Sequence, residues 1–570
     1  MNIRSFILTL GLLALLGSTS NAQNHPDFVE FINSEHEWVD SVYNKLNKKE
    51  RIAQLFMVRA HTNLGQDYMD SVGNVIKKEH LGGVVFFQGG PVRHASLINT
   101  YQRLSKVPLL VALDGEWGLG MRMADSTISY PYQMTLGAIQ DENLIYQMGR
   151  EIAKDFKRLG LNVNFAPVVD VNNNPRNPVI NYRSFGENKY NVTRKGAVYM
   201  KGMADEGIIS SLKHFPGHGD TDVDSHLDLP KLPFDRARLD SLEMYPFREL
   251  IKQGAPGVMV AHMNIPSLDA TPNLPSSLSP KVISGILKQE LGFRGLTFTD
   301  AMDMKGVVKY FKDGEADVRA IIAGNDVLEL SQNSKRAIKM VKKAVRQNRI
   351  DQEDLEKRVK KILAAKLWLG LDKWKATSTD DLYEDLHRPY AMRLNQQLAD
   401  AAVTLLNGDS LVRNLDLTKK TAIISVGSNK ITPFQNLMNA RLDNGVNFLI
   451  PGDASADDVA KVASELRKFD QVIVALHDSR LRPGSVSNYN STVKLFITEI
   501  ASTQAIFCVF GHAYALASFP GIEQAASILL AYQNDETLQR AVTKVLFHEI
   551  DAKGKMPVTV NAFFHYGAGL

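Results

Sequence analysis

The sequence predicts an α/β protein: a (β/α)8 TIM-type barrel followed by a doubly wound α/β sandwich domain. Three observations lead there. From about residue 50, short apolar runs alternate with longer amphipathic stretches, the pattern of βα units. Polar or ionisable residues recur at or just beyond the ends of the first eight apolar runs. A polar, turn-rich stretch then separates these runs from a second series of the same kind.

The barrel strands are read at 54–60, 82–87, 108–114, 162–170, 208–215, 257–263, 295–302 and 326–330. Between them lie helical segments such as 141–160, with an acidic first turn and a stop at Gly160. The barrel series closes on the amphipathic stretch 351–372, stopped at Gly370. The linker is placed at 376–399. The second domain, 400–570, has strands at 421–427, 446–451, 471–478, 504–511 and 526–532. It holds neither G-x-G-x-x-G nor G-x-x-x-x-G-K-[ST], so no nucleotide site is indicated.

Residues 1–22 read as a signal peptide: "MNIR" is positive, "SFILTLGLLALLG" is apolar, and "STSNA" ends in an Ala-type cleavage site. The apolar run is short for a membrane span of about 20 residues. The mature chain, 23–375 plus linker and second domain, is therefore expected in the periplasm or outside the cell, without a transmembrane segment. With 22% charged residues, net charge +4 and no basic run, nucleic-acid binding is not expected. The single Cys508 excludes an internal disulfide framework and lies in the apolar run "AIFCVF", where a buried structural thiol is expected.

In a barrel of this kind the strand ends form the active-site face. Asp114, Asp170, Lys213, His214, His262 and Asp300 all fall there. Asp300 follows an apolar strand, where a carboxylate can act as a nucleophile or proton carrier or cap the next helix. The stretch "KHFPGHGDTDVDSH" (213–226) holds three histidines and three aspartates. Pro216, Gly217 and Gly219 predict a flexible or sharply turned loop. Asp224 and His226, spaced D-x-H, make a pair in which the carboxylate orients an imidazole that exchanges protons near neutrality. The alternative is a metal site on His214, His218 and His226, which Lys213 beside it disfavours. No metal and no cofactor is expected.

"KHFPGHGDTDVDSH" and "ILKQELGFRGLTFTDAMD" resemble the two signature stretches of family 3 glycoside hydrolases, in particular the β-N-acetylhexosaminidase branch. The resemblance implies that Asp300 is the nucleophile, His226 the general acid/base and Asp224 its partner. It further implies that Asp114, Arg122, Arg183, Lys213 and His214 bind the sugar, and His262 is counted with them. The strand-three motif departs from the family's Asp–Gln–Glu–Gly–Gly to Asp114-Gly115-Glu116-Trp117-Gly118, with Arg122 keeping its spacing. The implied activity is retaining, exo-acting hydrolysis of β-linked N-acetylhexosamine by a monomer or weak homodimer. Muropeptides, chitin oligomers and N-glycan fragments are the candidate substrates. The competing readings are a β-glucosidase, substrate-assisted hydrolysis by the acetamido group (disfavoured because Ala301-Met302, not a second acid, follows Asp300), phosphorolysis, and a non-catalytic protein that binds cell-wall glycan.

Overall fold

The computed structural model describes residues 27–225, 227–312, 314–482, 489–519 and 521–570. The expected signal peptide and His226 lie outside the described residues.

Among the described residues, nine short strands precede residue 330: β1 Phe56–Ala60, β2 Gly83–Phe86, β3 Leu110–Leu113, β4 Val163–Asn164, β5 Ile209–Ser210, β6 Leu212–Phe215, β7 Gly257–Val260, β8 Leu296–Thr299 and β9 Leu328–Glu329. All their pairings are parallel. One sheet runs β5-β4-β3-β2-β1-β9 and a second runs β6-β7-β8. Ser211 alone separates β5 from β6, and a parallel bridge joins Phe298 of β8 to Val327 before β9. Most strand positions are fully buried, as expected of parallel strands covered on both faces. The observed strands are shorter than the apolar runs. The residues just past their ends, where the polar side chains sit, leave the ladder to form loops.

The helix Glu142–Leu159 shows why the pattern was readable. Asp141 caps it by accepting from the Asn143 amide, and Gly160 ends it in the left-handed region. Its apolar residues Ile145, Met148, Ile152, Phe156 and Leu159 recur every three to four positions and are buried.

A third sheet has the order β10-β15-β14-β13-β11-β12, with β10 Thr404–Asn407, β11 Thr421–Val426, β12 Gly445–Ile450, β13 Gln471–His477, β14 Ile506–Phe510 and β15 Ser527–Leu530. It is parallel except for β10, an antiparallel edge strand that the sequence reading did not include. Cys508 is buried on β14, and burial pushes its thiol up.

Residues 376–399, read as a linker, hold the helices Leu382–Leu386 and, starting inside that segment, Pro389–Ala402. Pro389 opens the longer helix at a position that needs no amide hydrogen. Leu394, Leu398 and Ala402 then bury one face, a stripe that the polar residues around them concealed. The second unit also bonds directly to the first: the Gln533 amide oxygen accepts from the Tyr132 amide at 2.6 Å and the Thr135 hydroxyl at 2.7 Å.

Lys366, in the helix Gln352–Trp368, is fully buried and donates to the Gln54 amide oxygen at 2.6 Å. Burial lowers its pKa to about 7. Between about pH 7 and the ordinary lysine value the unfolded chain therefore holds a proton that the folded chain does not, so this group adds stability as pH rises. Lys366→Met is expected to remove that slope. Melting temperatures at pH 7 and pH 9 should show wild type gaining relative to the variant; parallel changes would exclude a neutral buried amine.

Candidate active site

The ends of β3, β6, β8 and β9 and the loops beyond them surround a cavity of about 570 Å³. Asp114, Arg122, Arg183, Lys213, His214, His218, Asp300 and Glu329 line it, together with Arg482 from the loop after β13.

On one wall is a buried charge network. Lys213, at 2% exposure, places Nζ 2.8 Å from Asp114 Oδ1 and 2.8 Å from Glu116 Oε1. Arg122 Nη2 lies 2.6 Å from Asp114 Oδ2. Arg183 grips Glu116 with two bonds, Nε at 3.0 Å and Nη2 at 2.7 Å, the fork geometry suited to a carboxylate. Burial would push Asp114 up, but Lys213 and Arg122 outweigh it and hold the carboxyl well below its ordinary value. Glu116 is lowered against its own burial by Arg183 and Lys213. Lys213 in turn is raised, its burial outweighed by the two carboxylates.

Asp170 ties the neighbouring strand tip together. It accepts from the amides of His214 and His218, the latter at 2.7 Å, and meets His214 Nδ1 at 2.8 Å. Burial would raise it, yet the two histidines bring it below the ordinary range. A carboxylate at Nδ1 fixes the proton there and turns Nε2 toward Arg183 Nη2, 3.5 Å away. Sequence reasoning noted Asp170 at a strand tip but gave it no role; its role here is to orient His214.

The loop after β6 is pinned rather than flexible over its first half. His218 meets the Thr221 hydroxyl through Nδ1 at 2.9 Å and the Ser225 hydroxyl through Nε2 at 3.1 Å. Asp220 accepts from Asn173 and Arg238, and Asp222 from Asn174. Gly219 is required by close packing, since a Cβ there would stand 1.9 Å from the Val171 carbonyl oxygen. Gly217 combines φ +131° with a contact against Glu243. Burial, and then His214, lower His218 to about 4, so it is a neutral ring serving as a strut. These partners account for His214 and His218 without a metal between them. Asp224 follows, 3.9 Å from Arg482 Nη1.

Asp300 stands just past β8. Its amide donates to the Val260 carbonyl at 3.0 Å, and its Oδ1 accepts from the Ala301 amide at 2.8 Å. The turn is clamped from β9: the Glu329 amide donates to the Thr299 hydroxyl, and the Glu329 carbonyl accepts from the Met302 amide.

His262 does not line the cavity, contrary to its expected place among the sugar-binding groups. It is fully buried, with Nε2 3.0 Å from the Ala301 carbonyl oxygen and Nδ1 2.6 Å from the Ser277 hydroxyl. A carbonyl only accepts, so Nε2 carries the proton and Nδ1 accepts from Ser277. Burial, opposed by Asp300, keeps the ring below its ordinary pKa. His262 thus steadies the turn that holds Asp300.

Three cavity carboxyls, Glu116, Asp303 and Glu329, had no assigned role in the sequence reading. Glu116 appeared only as part of the altered strand-three motif. Glu329 was hidden in "DVLEL", where the one signal was an acid at the tip of an otherwise apolar strand.

Comparison with known proteins places this site in context. Residues 48–365 match the Glycosyl hydrolase family 3 N terminal domain. The chain is 29% identical over 548 residues to "Beta-hexosaminidase A" of Pseudoalteromonas piscicida, covering 86% of this chain and 91% of that protein. It is 27% identical over 377 residues to a "Beta-N-acetylglucosaminidase/beta-glucosidase" of Cellulomonas fimi, covering 65% of this chain and 66% of that one. Among solved structures, a family 3 β-N-acetylglucosaminidase from Paenibacillus sp. str. FPU-7 superposes with TM-score 0.75 at 29% identity, over 90% of this chain and 99% of that one. A β-glucoside phosphorylase shares the fold, with TM-score 0.78 at 23% identity over 93% and 97% of the two chains. The matched segment spans more than half of the sequence and carries Asp114, Lys213, Asp300 and Glu329 alike, so the chain belongs to glycoside hydrolase family 3.

Proposed function

We propose that the protein is a retaining exo-β-N-acetylglucosaminidase, releasing terminal non-reducing β-linked N-acetylhexosamine. The observation that carries this reading is that Asp300 shares its cavity with Asp114, Arg122, Arg183, Lys213 and His214. One carboxylate held in a fixed turn thus faces a cluster of donors and acceptors suited to sugar hydroxyls. The amino-sugar preference takes its support from the hexosaminidase names of the Pseudoalteromonas and Paenibacillus relatives.

In this reading Asp300 attacks the anomeric carbon while His226, oriented by Asp224, gives its proton to the leaving oxygen. Water then attacks the glycosyl–Asp300 ester, passing its proton to His226, and the sugar leaves with its configuration retained. An imidazole suits the task because its ordinary pKa already lies near neutrality. Arg482 brings a charge of the second unit beside Asp224.

The same reading takes the strands before residue 330 as one closed barrel, supported by the Phe298–Val327 bridge and by the single residue between β5 and β6. It takes 23–375 as the catalytic domain, 400–570 as the sandwich domain and residues 1–22 as an export signal. Muropeptides, chitin oligomers or N-glycan fragments outside the cytoplasm are then the substrates.

A β-glucosidase is the second reading, favoured by the double name of the Cellulomonas relative. Parallel assays on aryl N-acetyl-β-glucosaminide and aryl β-glucoside decide between them, and product analysis in phosphate buffer separates hydrolysis from phosphorolysis. His226→Ala is expected to slow a substrate with a poor leaving group by roughly 10²–10⁴-fold. An activated aryl substrate, whose leaving group needs little protonation, should lose much less. Equal losses on both would remove His226 from the acid role.

A further inference from the structure

Glu329 is a cavity carboxyl that the proposed mechanism does not use. It ends β9, where Met57 of β1 is its pairing partner, and it is 3% exposed. It lines the cavity beside Asp114, Lys213 and Asp300. Its Oε1 has no hydrogen-bond partner among the described residues. Lys213, which lines the same cavity, directs its ammonium to Asp114 and Glu116 at 2.8 Å each. An unsatisfied polar atom in such a place is costly in the folded protein, and a site that keeps one is a site where something else supplies the bond.

We propose that Glu329 is a specificity-determining residue of the donor-sugar subsite, its side chain hydrogen-bonding a polar substituent of the sugar held next to Asp300. The proposal rests on the glycosidase reading above and adds a binding group to it. Its position follows from the backbone: Glu329 bonds through its own amide and carbonyl to Thr299 and Met302, on either side of Asp300. A group fixed there faces the part of the sugar close to the reacting carbon. The polar substituent is either the 2-acetamido group or a ring hydroxyl, and both offer a donor and an acceptor.

The surrounding charges decide which form of the side chain does this. Burial pushes Glu329 well above the ordinary carboxylate range, and Asp114 and Asp300 push the same way, with Lys213 opposing. A neutral carboxylic acid presents one donor and one acceptor and adds no third negative charge beside Asp300. It can therefore match an amide or a hydroxyl without repelling the ionised nucleophile.

The test compares Glu329→Gln, which keeps the shape and one donor and one acceptor, with Glu329→Leu, which keeps bulk alone. Steady-state constants are measured with aryl N-acetyl-β-glucosaminide, aryl β-glucoside and the 3-, 4- and 6-deoxy forms of the former, after melting curves show both variants folded. Glu329→Leu is expected to lose roughly 10–100-fold in kcat/KM. Glu329→Gln should recover most of that loss. For the substrate lacking the recognised substituent, the wild type and Glu329→Leu should differ by no more than a few-fold. A collapse of the difference on the glucoside identifies the acetamido group, and on one deoxy sugar identifies that hydroxyl. The pH–rate profile of Glu329→Gln should keep both limbs, since in this proposal neither side chain gives or takes a proton during turnover.

Equal losses by Glu329→Leu on every substrate, or no loss on any, would overturn the proposal. So would a missing limb in the Glu329→Gln profile, which would make Glu329 a titrating acid or base. If Glu329→Leu does not fold, Glu329→Gln carries the test through its substrate pattern and profile. The wild type's own preference between glucosaminide and glucoside tests the glycosidase reading separately.

Discussion

Asp300→Ala is expected to lower kcat/KM on an aryl N-acetyl-β-glucosaminide by roughly 10⁴-fold or more, the scale set by removing a nucleophile from a preorganised site. That loss corresponds to about 5.5 kcal/mol of transition-state stabilisation. The structure makes the experiment clean. The turn is held by bonds that do not involve the side chain: the Asp300 amide to Val260, Met302 and Thr299 to Glu329, and His262 to Ala301. The bond from the Ala301 amide to Asp300 Oδ1 is lost while these bonds stay, so the melting temperature should move little. Azide offers a positive control. A small anion can enter where the carboxylate stood and attack the anomeric carbon from the same face, giving a glycosyl azide of inverted configuration. If the variant kept more than about a hundredth of its activity and still released sugar with retained configuration, the acetamido group and not Asp300 would be the nucleophile.

How much of this site could be read from the chain depends on the kind of residue. Asp114, Lys213, His214 and Asp300 were legible because each is a polar group at the end of an apolar strand, where a parallel sheet leaves its loops. All of them line the cavity. His262 has the same local signature but points away, to Ser277 and Ala301. Period-two alternation alone does not say which strand-end side chains turn inward once the strand has stopped. Glu329 was missed for the opposite reason: at β9 the acid sits inside the short ladder rather than past it, amid apolar neighbours. The loop glycines at 217 and 219 suggested freedom, whereas their surroundings demand closeness to Glu243 and Val171. Such contacts join segments far apart in sequence and leave no local trace. The helix Pro389–Ala402 was obscured by composition: its buried stripe is small, and the exposed Tyr390 and Met392 blur the contrast between its faces.

Lys213→Met should have the largest effect on stability among these variants, because it removes a buried cation shared by the carboxylates of Asp114 and Glu116. Breaking a buried pair by deleting one partner costs about 3–5 kcal/mol, since the charge left behind has lost both water and counter-ion. Here Asp114 keeps Arg122 and Glu116 keeps Arg183, which sets the cost toward the lower end of that range. Activity should fall with stability, as the wall of the sugar site is rearranged. A charge explanation makes a further demand that a packing explanation does not. In the wild type both carboxyls are held below their ordinary pKa, so their contribution is present at neutral pH and is lost only as pH falls through those lowered values. In the variant, burial is less opposed and both carboxyls rise. Once a carboxyl's folded pKa exceeds its unfolded one, the folded state gains stability as pH falls. The gap in melting temperature between wild type and Lys213→Met should therefore narrow from pH 7 toward pH 4. Adding Glu116→Gln to Lys213→Met, which removes one stranded charge, should recover part of the lost stability without recovering activity. A gap independent of pH, with no recovery in the double variant, would show that Lys213 matters here for the space it fills and not for its charge.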